Sequence, residues 1–66
     1  MKNRIREIRK RMGITMTQLA IEAGINASSL SMIERGQACN KATAEKVCDV
    51  LGEPVETVFK GAEFKR

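Results

Sequence analysis

Residues 15–36, TMTQLAIEAGINASSLSMIERG, carry their own punctuation and decide the fold. Thr15 stands three residues before Gln18, the spacing of a capping box, in which the threonine hydroxyl accepts from the third helical amide while the glutamine reaches back to the threonine N–H. A helix is expected over 15–23. Ile14 before the cap and Leu19 after it are placed as a hydrophobic staple, and Leu19, Ala20 and Ala23 give the helix an inward face with a small-residue seam. Gly24 stops it, because glycine adopts the left-handed conformation that follows a helix end, and Asn26 is a strong N-cap for a second helix over 26–35. Leu30 and Ile33 anchor that helix inward and Gly36 closes it. Two helices separated by about three or four residues, with glycine in the turn, cross at a steep angle, which is helix-turn-helix geometry.

The flanking sequence supplies the remaining helices of an all-α, five-helix bundle, read as one domain over 1–66. Upstream, Asn3 is placed to cap a helix over 3–12 in which Ile5, Ile8 and Met12 recur as an inward stripe, ended by Gly13. Downstream, Gln37, Ala38 and Cys39 lead to Asn40, the cap of a helix over 40–51 with Ala44, Val47, Cys48 and Leu51 on one face and Gly52 at its end. Pro54 suits the first position of a short fifth helix over 54–60, where Val55, Val58 and Phe59 repeat at helical spacing. The tail over 61–66, GAEFKR, has no periodicity and is expected to fray.

Composition narrows the function. The chain has 66 residues, 42% of them hydrophobic, with no tryptophan or tyrosine, so an aliphatic core of marginal size is expected and dimerisation is a reasonable supplement. Such a length leaves no room for a small-molecule ligand domain beside the helices. No apolar run approaches the ~20 residues of a membrane span and no signal peptide is visible, so the expected location is cytoplasmic, at the nucleoid. Formal charge is +4, and its distribution matters more: Lys2, Arg4, Arg6, Arg9, Lys10 and Arg11 face only Glu7 within the first twelve residues. That asymmetry fits a protein that meets phosphate, and equally a solvated basic face. Arg4 and Arg6 stand in the first turn of their helix, where the macrodipole disfavours cations by a few tenths to about 1 kcal/mol, and the same two explanations stay open for them.

Catalysis and metal binding are not expected. The chain has no histidine, which removes Ser/His and Cys/His arrangements, and it has no glycine-rich phosphate loop. Cys39 and Cys48 lack metal-ligand spacing. Cys48 lies roughly 12 Å along its helix from the start near Asn40, whereas a disulfide wants alpha carbons within about 7 Å, so two free thiols are expected. No cofactor follows from any motif.

The pattern T15-x-x-Q18-L19-A20-x-x-x-G24-I25-N26-x-S28-x-L30-x-x-I33-E34-R35-G36 resembles the Cro/repressor class of helix-turn-helix domains, the XRE-like regulators of bacteria and phages. The likeness spans residues 5–59. It implies a sequence-specific transcriptional regulator, by default a repressor, that inserts its third helix in the major groove of double-stranded operator DNA as a homodimer.

With Leu30 and Ile33 inward, the outward face of the third helix holds Ala27, Ser28, Ser31 and Met32, the base-facing candidates, with Arg35 at its end. Helix N-termini expose free amides that suit phosphate oxygens. Backbone contacts are therefore expected from Thr15, Met16, Thr17 and Asn26 at the two helix starts; the resemblance implies further ones after the third helix, where Gln37, Asn40 and Lys41 stand, and Arg11 and Arg35 are expected to meet phosphates as well. Arg9 lies on the edge of the buried stripe and needs a partner; the resemblance supplies Glu34, so these two are expected to support the site from behind. The resemblance also places a two-fold contact at the last helix, assigned to Pro54, Val58 and Phe64, with Val55 and Phe59 kept for the core.

The chain departs from its family where strong readers carry glutamine, at Met16 and Ala27. Bidentate readout of adenine or guanine is worth about 1 to 3 kcal/mol per pair, and no such side chain follows Asn26 in the first turn, so a modest base code aided by DNA shape is expected. The rival reading is a protein-interaction or antitoxin-like module that keeps the fold with relaxed DNA contact.

Overall fold

The computed structural model describes residues 2–60, and the expectations for Phe64 and for the frayed tail lie outside them. Five helices follow in chain order: α1 (Ile5–Met12), α2 (Met16–Ala23), α3 (Ala27–Glu34), α4 (Lys41–Leu51) and α5 (Val55–Val58). Each begins one or two residues later than expected, because the capping residue itself keeps non-helical backbone angles. Thr15, Asn26 and Asn40 all hold extended backbone, and their side chains accept from the amides of Gln18 at 3.1 Å, Ser28 at 2.8 Å and Thr43 at 2.8 Å.

Gly24 makes the turn between α2 and α3. Its φ of 72° is left-handed, its amide donates to the Ile21 carbonyl, and the Ile25 amide donates back to Ala20, closing the helix end as a Schellman motif. Ile25 then packs on the core. The chain is thus released into the Asn26 cap with no intervening loop.

The core runs through all five helices and comprises Ile5, Ile8, Leu19, Ala20, Ala23, Leu30, Ile33, Ala44, Val47, Cys48, Leu51, Val58 and Phe59, an all-apolar set. Helix α4 packs on α1 and α2, α2 packs on α3, and α5 closes against α4. Each large buried aliphatic side chain contributes about 1.5 to 3 kcal/mol relative to exposure, so this set is the main stabilising term.

Four expectations need correction. Met12 is 45% exposed, at the last position of α1, while Ile14 and Met16 just beyond it pack against the core. Asn3 is not the formal cap: Arg4 holds that position, although the Asn3 side-chain oxygen accepts from the Ile5 amide at 3.2 Å. Pro54 precedes α5 with an extended ψ of 153° rather than opening the helix. Val58, assigned to a dimer contact, is fully buried, while Val55 is only partly so; Pro54 alone of the described dimer candidates is exposed. The single turn of α5 is docked by its last residue, Val58, and by Phe59 just after it, both buried.

The two ends of the described chain are stitched to each other. The Arg4 amide donates to the Val58 carbonyl at 2.8 Å, and the Asn3 side-chain amide donates to the Ile33 carbonyl at 2.7 Å. The start of α1 therefore holds both α5 and the end of α3.

Candidate nucleic-acid interface

The outward side of α3 is built from small and flexible residues. Ala27, Ser28 and Met32 are exposed, with Met32 at 49%, and Ser31 is half-buried. The inward side, Leu30 and Ile33, fixes this orientation. Because Asn26 spends its side-chain oxygen on the Ser28 amide, its amide nitrogen is left as a donor at the tip of the helix.

The start of α2 comes near the middle of α3, where Met16 and Ser31 line one basin. Thr15 and Thr17 are exposed and Met16 is partly packed on the core. Thr15 satisfies the Gln18 amide, so the amides ahead of it remain without intrahelical acceptors. Gln37, Asn40 and Lys41, after α3, are exposed as well, and Lys41 opens α4.

Glu34 holds α1 to α3. The Arg9 guanidinium meets its carboxylate as a fork, Nη2 to Oε1 at 3.0 Å and Nε to Oε2 at 3.3 Å, and its Nη1 donates to the Ile14 carbonyl at 3.2 Å. The two side chains are only 12% and 8% exposed. Charge-assisted bidentate geometry of this kind fixes orientation as well as distance. Arg9 and Glu34 therefore buttress α3 from behind, as the edge position of Arg9 required.

The remaining cations of α1 divide between two flanks. Arg4 and Arg11 pair with Glu7 at 3.6 and 3.5 Å, in exposed i,i+3 and i,i+4 contacts of small energetic weight. Arg11, expected to meet the DNA backbone, makes its contact with Glu7 and stays 73% exposed. Arg6 and Lys10 instead line an open basin with Arg9, together with Met16 of α2, Ser31 and Glu34 of α3, and Arg35. Sequence reasoning left Arg6 open between phosphate and solvent and did not single out Lys10. The signal was present in part, because at about 100° per residue positions 6 and 10 fall roughly 60° and 100° to one side of residue 9, on a strip of the helix next to the one that Arg9 turns to Glu34.

The thiols offer no chemistry here. Cys39 and Cys48 are free; burial raises both, Cys48 to about 11, where the nearby Asp49 carboxylate adds to the effect of burial. Both are neutral thiols at neutral pH, not nucleophiles. Among the described residues no group of acidic, cysteine or histidine side chains could hold a metal ion, and no helix is long and apolar enough to cross a membrane.

Comparison with known proteins agrees with this geometry. Residues 5–58 match the helix-turn-helix family model. The chain is 35% identical over 60 residues to an uncharacterized HTH-type transcriptional regulator, RghRB, of Bacillus subtilis (strain 168), a match that covers 88% of this chain and 43% of that protein. The chain thus spans less than half the length of that relative. In three dimensions it resembles the N-terminal DNA-binding domain of the master biofilm-regulator SinR from Bacillus subtilis, with a TM-score of 0.77 and 34% identity over 96% of this chain and 94% of that one. With its capped α2, its glycine turn and its exposed α3, the chain belongs to the XRE-like helix-turn-helix family of DNA-binding transcriptional regulators.

Proposed function

We propose that this chain binds double-stranded operator DNA with α3 in the major groove, as a homodimer, and acts as a cytoplasmic transcriptional repressor without a catalytic step. The observation that carries the reading is the exposed, small-residue face of α3, with Ser31 sharing a basin with Met16 at the start of α2 and with Arg35. Ala27 and Met32 offer apolar contact to thymine methyl groups, while Ser28 and Ser31 offer hydroxyls to bases. Thr15, Met16, Thr17 and Asn26 approach one stretch of backbone; Arg35, Gln37 and Lys41 approach the other. Arg11 is left out of this set because it is turned to Glu7. A second copy, placed by the exposed end that carries Pro54, would read a half-site about one helical turn away.

The two classes of contact separate experimentally. Arg35→Ala should weaken binding to all duplexes alike and lower the salt slope by about one, since it removes a phosphate contact. Ser28→Ala should change the preference among duplexes with little change in slope. Titrations of several duplexes at three salt concentrations read both, and equal effects on every duplex from both variants would sink the reader assignment.

A further inference from the structure

We infer that Arg6 and Lys10 form a phosphate clamp on the flank of α1, which holds one phosphodiester of the same duplex that α3 reads. The inference rests on the proposed DNA-binding reading and adds a site to it. Three observations carry it. First, the basin lined by these two residues also contains Ser31 and Met16, so it opens between the reading helix and the start of α2. Second, its one carboxylate is spent: both oxygens of Glu34 are taken by Arg9, which leaves the positive charges of Arg6, Lys10 and Arg35 at the rim without a carboxylate to answer them among the described residues. Third, the two cations stand four residues apart on one helix, about 6 Å between their beta carbons, a separation that two long side chains can close around a single phosphate. The contrast with Arg4 and Arg11 is the argument for function. Those two flank Glu7 in the same helix and pair with it, whereas Arg6 and Lys10 share their basin with a third cation, Arg35, and with a carboxylate already paired to Arg9. A solvated basic face would have no reason to separate its charges in this way.

The ligand chemistry is a phosphate oxygen pair. Arginine presents a planar fork and lysine a point charge, a combination that holds a phosphodiester in place without reading any base. The clamp therefore adds affinity and fixes the approach of α1 to the backbone, and it leaves sequence preference to α3.

The test is the salt dependence of binding by the full chain to a duplex of fixed sequence. Both side chains are exposed and make no ion pair among the described residues, so the double variant R6Q/K10Q should keep its structure. It should lower the slope of log K against log salt by about one, the loss of a single phosphate contact. The control variant R4Q/R11Q removes the same formal charge from the opposite flank and should keep the wild-type slope. Equal losses from the two variants overturn the clamp, because net charge alone would then explain them. A wild-type slope in R6Q/K10Q overturns it while the DNA-binding reading stands. If R6Q/K10Q loses only competition by inorganic phosphate and not its DNA slope, the basin belongs to a free anion and the clamp is wrong. Absence of salt-dependent binding by the wild-type chain defeats the DNA-binding reading itself, and the clamp with it.

Discussion

Replacing Glu34 with alanine should lower the melting temperature by roughly 10 to 20 °C in the absence of DNA, the consequence of losing about 2 to 3 kcal/mol in a domain of this size. The magnitude follows from burial. Exposed ion pairs such as Arg4–Glu7 contribute about 1 kcal/mol or less, but the Arg9 and Glu34 side chains are 12% and 8% exposed, so removing the carboxylate strands a largely desolvated guanidinium. Its remaining bond, to the Ile14 carbonyl, satisfies one of its donor groups and none of its charge. Glu34→Gln keeps an acceptor and should lose about half as much. A thermal melt followed by circular dichroism measures both, and a melting curve for Glu34→Ala that overlays the wild type rejects the tie between α1 and α3. Because the pair is nearly out of solvent, the effect should also persist when salt is raised, unlike that of a surface pair.

A larger loss is expected from Phe59→Ala. Phe59 is 1% exposed and heads the largest fully buried side chains of the described core. Truncating a buried phenylalanine costs about 3 to 5 kcal/mol, the transfer term plus the cavity it leaves. A domain this small has little more than that to lose. The consequence reaches the reading helix. Phe59 and Val58 dock the single turn of α5, and the Val58 carbonyl receives the Arg4 amide next to Asn3, whose side chain holds the end of α3. The variant should therefore be largely unfolded at 37 °C by far-ultraviolet circular dichroism. A variant that melts within a few degrees of the wild type would show that α5 does not close the core.

Local signals in the sequence sufficed for most of this architecture. Thr15, Asn26 and Asn40 are each a polar residue ahead of an apolar repeat, and each caps a helix. The stripe Ala44, Val47, Cys48 and Leu51 has about two turns to define a face, and all four residues are buried. The errors fall where periodicity runs out. Met12 is the last residue of α1, so no further turn fixes which side of the helix it belongs to. In α5, four residues cannot establish a face, and Val58 proved buried where a surface contact was expected.

Long-range polar contacts were legible only in part. The edge position of Arg9 showed that it needed a partner, but Glu34 as that partner came from family likeness, because residues 25 positions apart leave no local trace. The bond from Asn3 to the Ile33 carbonyl left none either. On the candidate interface, counting cations identified α1 as basic without saying which way each one points. Direction around the helix turns Arg11 to Glu7 and brings Arg6 and Lys10 to the basin.

The central claim is that α3 reads DNA sequence, and selection of bound duplexes from a random pool at near-physiological salt tests it most directly. The account predicts enrichment of a pseudo-palindrome whose half-sites lie about one helical turn apart, with thymines at the positions facing Ala27 and Met32. A pool retained without enrichment, or not retained at all, would contradict it and turn attention to a protein partner.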